Sequence, residues 1–390
     1  MPMARRLGTR IMRGLVLVAA AVLLFCSLWI VVPAPTLLLL PFGVGVPELS
    51  PLLLAASLIV LALAMKAREA IGGTVAAACC AIAALLYALP LIQLAGMIVR
   101  GFDAALPRPA DSSLGERALP TLSVLLRGVD AGDARVSRGI PVAGADGSPL
   151  TVDVYRPPAA GRFPILVQIY GGAWQRGAPG DNDRYARHFA SRGYVVFAID
   201  YRHAPRWQWP VQFEDVRAML AWIRAHAAEY DGDGSRIALV GRSSGAQLAL
   251  LAAYQAPAGA VSAVVSYYGP TDLAEGWRAP PHPDPLDVRA VLQAYLGGTP
   301  DEVPGRYRDA SPISHVTAGS PPTLLVYGTR DHIVEARFGR DLHDRLRAAG
   351  ASSVLLEIPW AEHAFDALPN GLAARLSVAR TERFLAHALK

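Results

Sequence analysis

The pentapeptide Gly241-Arg242-Ser243-Ser244-Gly245 follows a strand-length run at 236–240 and opens onto a helical pattern at 246–254. A serine between two glycines at a strand-to-helix turn is a candidate nucleophile. The turn is sharp, the converging backbones leave no room for a Cβ, and the hydroxyl is lifted above the strand end. The helix N-terminus beneath it favours developing negative charge. Ser243 could instead merely cap the helix, but the strand before it and the helix after it favour chemistry. A serine hydroxyl attacks at neutral pH only when a base takes its proton. His363, in Ala361-Glu362-His363-Ala364-Phe365, follows the last predicted strand and is the candidate base. His343 lies within a helical pattern and His332 adjoins the acid candidate, so both rank lower. An imidazole base needs a carboxylate that fixes its tautomer and stabilises the imidazolium. Asp331, in Tyr327-Gly328-Thr329-Arg330-Asp331, takes that part, with Glu335 and Asp366 as alternatives.

Attack on a carbonyl puts negative charge on its oxygen, which needs hydrogen-bond donors held in place beforehand. Tyr170-Gly171-Gly172-Ala173-Trp174 follows another predicted strand, where N–H groups of Gly171, Gly172 or Ala173 can point into the site. The N–H of Ser244 is a further donor.

These residues must be carried by a common frame. Strand-length apolar runs fall at 150–155, 164–170, 194–199, 236–240, 263–268, 323–327 and 354–358, separated by helical patterns such as 212–228, 246–254, 336–349 and 372–388. The later runs are almost continuously apolar, as expected of parallel strands covered by helices on both faces. The run at 150–155 alternates, as an antiparallel edge would. The βα rhythm predicts an open, mostly parallel α/β sheet, with chemistry at the C-terminal strand ends.

The N-terminal third differs. Apolar stretches at 14–32, 47–65 and 71–99 contain no Lys or Arg, and each approaches or exceeds the roughly 20 residues that cross a bilayer as a helix. We expect three transmembrane helices over residues 1–100, with the apolar, Pro- and Gly-broken 36–46 as a re-entrant or interfacial piece. A cleaved signal peptide is the alternative for the first stretch, and the two later stretches argue for a retained anchor. Four arginines precede the first stretch, and Lys66 and Arg68 sit between the second and third, which places those flanks in the cytoplasm. Three crossings leave the remainder extracytoplasmic. Residues 101–134 read as a linker with a short helix around 119–126, and 135–390 as the catalytic domain.

Of 37 basic and 32 acidic residues, seven and two lie in the first 100 positions, so the remainder carries 30 of each and is neutral. The net charge of +5 therefore belongs to the membrane flanks and gives no reason to invoke nucleic acid. All three cysteines, Cys26, Cys79 and Cys80, fall in the apolar third, which leaves the rest without a disulfide framework or a cysteine zinc site.

With these motifs in view, residues from about 138 to 389 resemble the hormone-sensitive-lipase-like and feruloyl-esterase-like α/β-hydrolases. The chain order Ser243, Asp331, His363 is that of the superfamily. Asp200-Tyr201-Arg202-His203-Ala204-Pro205 is similar to the family's Asp-Tyr-Arg-Leu-Ala-Pro, and Asp215, Tyr268-Gly269-Pro270-Thr271-Asp272-Leu273 and Ser311-Pro312-Ile313-Ser314 also match. The resemblance implies an α/β-hydrolase fold and a carboxylic-ester hydrolase that works through an acyl-enzyme with no cofactor or metal. Its partners would be a small-molecule or lipid-like ester and membrane lipid; the oligomeric state is left open. Two departures stand out. Tyr170 replaces the histidine usual before the oxyanion glycines, and Arg242 stands where Glu or Asp is common. Arg242 either pairs with a nearby carboxylate or favours acidic or phosphate-bearing substrates. The segment 272–316 can form part of a pocket wall, and Trp174, Trp207, Trp209 and Trp277 are either lining or core. Acyl transfer or peptidase action uses the same triad; an inactive membrane receptor would have no need of it.

Overall fold

The computed structural model describes residues 2–66, 71–99 and 128–390. The expected helix at 119–126, most of the linker, and Arg68 lie outside the described residues.

Four helices open the chain: α1 (Pro2–Leu28), α2 (Leu40–Glu48), α3 (Ser50–Lys66) and α4 (Ile71–Val99). Two of them hold stretches long and apolar enough to cross a membrane, Arg10–Leu28 and Gly72–Met97. The second expected span, 47–65, is divided. The chain bends by 78° between α2 and α3, so the piece read as re-entrant is a helix of its own. Leu49 closes α2, its N–H donating to Gly45 O at 3.0 Å, with Pro47 inside the last turn of that helix. α1, α3 and α4 meet in two layers, one of Val16, Ala20, Ala64, Ala76 and Cys80, the other of Leu23, Ala83 and Tyr87 with Leu53 and Leu54 of α3 packed against them. Residue numbers rise from the first layer to the second in α1 and α4 and fall in α3, so the three helices run up, down and up. Large apolar side chains such as Leu15, Val18, Ile59 and Leu85 face outward, more than half exposed.

The C-terminal part is built on β1 (Arg135–Ala143), β2 (Pro149–Arg156), β3 (Phe163–Ile169), α5 (Asp183–Ala190), β4 (Val195–Ile199), α6 (Val211–His226), β5 (Gly232–Arg242), α7 (Ser244–Tyr254) and β6 (Ala263–Tyr267). It continues through α8 (Leu273–Arg278), α9 (Val288–Leu296), α10 (Pro304–Ala310), β7 (Thr323–Gly328), α11 (Arg337–Ala348), β8 (Ser353–Ile358) and α12 (Leu372–Ala388). The eight strands form one sheet in the order β1-β2-β4-β3-β5-β6-β7-β8. Pairs from β4–β3 onward are parallel, while β1–β2 and β2–β4 are antiparallel. Every residue of β4, β6 and β7 is buried, because helices cover both faces. Val216 and Ile223 of α6, Leu248 of α7, Leu342 of α11 and Phe384 of α12 share the strands' core.

The antiparallel strand expected at 150–155 is present as β2, but it is not the edge. That place belongs to β1, which the apolar patterning missed because it is half exposed and broken by a register shift between Ser137 and Ile140. Asp153 of β2 accepts the Gly139 N–H at 2.8 Å at that bulge.

Candidate active site

Four loops at the C-terminal ends of β3, β5, β7 and β8 meet above the sheet. Ser243 ends β5 in a positive-φ conformation (φ 51°, ψ −123°), which an L-residue holds only where the surroundings impose it. Its N–H donates to Tyr267 O at 2.9 Å. A Cβ on Gly241 would strike Gly245 O, and one on Gly245 would strike Tyr170 O, so both glycines are required by close backbone approach.

His363 reaches this serine from the loop after β8. Its Nε2 lies 3.1 Å from Ser243 Oγ and its Nδ1 2.8 Å from Asp331 Oδ2. An Nδ1–H donated to the carboxylate leaves Nε2 with a lone pair directed at the hydroxyl proton. Asp331 is itself fixed, since its Oδ1 accepts the N–H groups of Ile333 at 2.8 Å and Val334 at 2.7 Å. Burial alone would lower the His363 pKa, but the charges of Asp331, Glu362 and Asp366 outweigh it and raise the pKa above its ordinary value.

The competing candidates are engaged elsewhere. His332 Nδ1 pairs with Glu362 Oε2 at 2.6 Å, and His343 Nδ1 with Ser353 Oγ at 2.9 Å. Glu335 bonds Arg337 at 2.8 Å. Glu362, which sequence reasoning did not single out, also accepts the N–H groups of His332 at 2.7 Å and His363 at 2.9 Å. A glutamate preceding the candidate base was the available signal.

Arg242 is buried behind Ser243. Its Nε lies 2.5 Å from Asp366 Oδ2, and its guanidinium covers the rings of Tyr185 and Tyr267 at 4.6 and 5.1 Å. Of the two readings of Arg242 the pairing is the one observed, and the cation does not border the space before Ser243. Tyr170, standing where the family has histidine, donates to Asp200 Oδ1 at 2.7 Å and lies 2.9 Å from His203 Nε2. The histidine missing at 170 thus has a counterpart at 203, where the family has leucine. This 200–204 segment also supports the loop at 171–174, since Ala204 N–H donates to Trp174 O at 2.9 Å.

In that loop Gly172, Ala173 and Trp174 have positive φ values of 139°, 56° and 59°. Gly171 packs against the elbow, where a Cβ would meet Arg242 O and Ser243 Cβ. Ala173 and Ser244 border a cleft in front of Ser243. Leu273 and Gly276 of α8, Val291 and Leu292 of α9, and Phe338 of α11 are among its walls, so the segment 272–316 does form part of it. Of the four tryptophans only Trp174 lines the cleft, held flat against Tyr295 with ring centres 4.1 Å apart. Trp207, Trp209 and Trp277 pack against Arg206, Phe213 and Tyr307 respectively.

A mostly parallel sheet with a serine on the β5 turn and a late histidine above it is the α/β-hydrolase fold. The BD-FAE family model matches residues 152–346, half of the sequence, and the chain belongs to that family. It is similar to the probable carboxylic ester hydrolase LipM of Mycobacterium tuberculosis, with 36% identity over 60% of this chain and 57% of the relative. It is also similar to esterase LipC of the same organism, with 39% identity over 53% of this chain and 54% of the relative. The chain thus spans little more than half the length of these relatives. Among solved structures, an esterase of Pyrobaculum calidifontis is 25% identical with a TM-score of 0.59, covering 66% of this chain and 87% of that one. Esterase LipW of Mycobacterium marinum is 29% identical with a TM-score of 0.54, covering 65% and 82%.

Proposed function

We propose that this protein is a membrane-anchored serine esterase that hydrolyses carboxylic esters with apolar acyl groups at the extracytoplasmic face of the membrane. The observation that carries the reading is the relay Ser243 Oγ, His363 Nε2, His363 Nδ1, Asp331 Oδ2, with gaps of 3.1 and 2.8 Å. His363 takes the Ser243 proton as Oγ attacks the ester carbonyl. Asp331 holds the ring and stabilises the imidazolium. The oxyanion is met by N–H groups of the Gly171, Gly172 and Ala173 loop and of Ser244; each such donor is worth about 10²- to 10³-fold in rate. Collapse expels the alcohol, which receives its proton from His363. Water, activated by the same imidazole, then releases the acid from the acyl-enzyme.

The cleft supports the apolar acyl group, because aliphatic and aromatic side chains make up most of its wall and Asp272, its one ionisable member, turns an oxygen to the Glu275 N–H at 2.9 Å. Membrane anchoring is supported by the apolar outer faces of α1, α3 and α4 and by their up-down-up course, which leaves Arg10, Arg13 and Lys66 at one end. With that end cytoplasmic, the catalytic part follows α4 on the opposite side.

The test is labelling of the purified protein with a fluorophosphonate, together with hydrolysis of p-nitrophenyl esters of graded chain length. Ser243→Ala should abolish both. Equal labelling of the variant would overturn the nucleophile.

A further inference from the structure

Helix α2 belongs to the apolar N-terminal region by sequence, yet its last residue is inserted in the catalytic domain. Glu48 is 1% exposed. Its Oε1 accepts the indole N–H of Trp360 at 3.2 Å, and its Oε2 accepts the backbone N–H of Ala373 at 2.7 Å. These donors flank the loop that carries His363: Trp360 lies just before it and Ala373 in the first turn of α12. The first turn of α12 has no acidic residue, and its N-cap, Gly371, has no side chain to offer. A helix start leaves N–H groups unsatisfied; here the acceptor comes from a residue 325 positions upstream. Glycine at 371 makes room for it, since a Cβ there would collide with Glu48 Oε2. The rest of α2 follows the same loop. A Cβ built on Gly43 would lie 3.9 Å from Glu362 Cγ, and one on Gly45 3.4 Å from Leu368 Cδ1. Glu362 in turn holds the His363 N–H.

We infer that Glu48 is a positioning residue for the general base: one carboxyl group from the apolar N-terminal region staples both ends of the 360–373 loop and sets where His363 stands over Ser243. The inference about rate rests on the esterase reading above, while the staple itself does not. A shift of a reacting group by about 1 Å is enough to cost about 10²-fold in rate, so a loop released at both ends lowers turnover without altering the acyl cleft, which no residue of 360–373 lines.

The test uses the full chain in lipid nanodiscs, as wild type, Glu48→Gln and Glu48→Leu. Hydrogen exchange is followed across 360–373, and kcat and KM for p-nitrophenyl butyrate are expressed per site titrated to completion with a fluorophosphonate. Glu48→Leu should speed exchange of the 360–373 segment by about tenfold or more. It should also lower kcat per titrated site about tenfold, with KM held within about twofold. Glu48→Gln, which keeps one carbonyl acceptor, should fall between. Unchanged exchange in Glu48→Leu, or a loss of rate matched by an equal loss of titrated sites, overturns the inference. If Glu48→Leu does not fold, wild-type exchange and kcat in Glu48→Gln overturn it. A wild type inert toward esters whose 360–373 protection still depends on Glu48 would sink the esterase reading and leave the staple standing.

Discussion

Arg242 and Asp366 stand 2.5 Å apart, Nε to Oδ2, with both side chains buried. This pair joins the residue before Ser243 to the loop that carries His363. Tyr268 adds its hydroxyl to Asp366, and its ring lies 4.6 Å from that of His363. The pair therefore fixes the spacing of two loops that arrive from different strands.

Removing one member leaves a buried charge without its partner, which typically costs about 3 to 5 kcal/mol. Arg242→Ala should lose stability in that range in thermal or urea unfolding of the detergent-solubilised protein. Arg242→Lys, which keeps the charge but not the planar fork, should lose less. A loss below about 1 kcal/mol for Arg242→Ala would show that the pair holds nothing.

The base works only when neutral, so kcat/KM should fall as pH drops through the His363 pKa. Because neighbouring carboxylates raise that pKa, the midpoint of the acid limb should lie above the ordinary histidine value of 6.5. Glu362→Gln removes one of the anions that stabilise the imidazolium. Its midpoint should therefore move to lower pH, toward the ordinary value. A pH profile of kcat/KM in both proteins checks the sign, and an upward shift in the variant would refute the electrostatic account.

Gly276 lines the cleft from α8, and a Cβ there meets only ordinary contacts, 3.7 Å from Phe338 and 3.8 Å from Leu292. Gly276→Phe should therefore fold and fill the acyl space. We expect kcat/KM for p-nitrophenyl octanoate to drop by about tenfold or more, with the acetate changed less than about threefold. Equal losses for both esters would place the acyl chain elsewhere.

For topology, a reporter joined after Lys390 should score as extracytoplasmic. A cytoplasmic signal would mean that the bent pair α2 and α3 does not cross, which changes the count of crossings from odd to even.

The parallel half of the sheet was legible because burial on both faces leaves runs that are apolar throughout, as in β4, β6 and β7. The elbow was legible because its two glycines answer a local steric demand. The structure places His363 within hydrogen-bonding reach of both Ser243 and Asp331, from their expected places after β8, β5 and β7. Other features leave no local trace. β1 hides behind polar residues and a bulge, and α10, along with the 3₁₀ turn that follows it, lies in a proline-rich stretch with no clear period. The bond from Glu48 to Ala373 spans 325 positions. Neither residue has a neighbour that announces it, and a lone glutamate between apolar stretches reads only as a flank.

That contact also bears on where the enzyme begins. Hydropathy draws a border near residue 100, and a chain cut there would look like a complete soluble hydrolase. It would leave the Trp360 indole N–H and the first turn of α12 without their carboxylate, and it would strip α2 from the loop beside Glu362. Hydrogen bonds thus join the apolar N-terminal helices to the sheet domain, so trimming the N-terminus calls for a replacement acceptor at Gly371, such as an aspartate or serine cap.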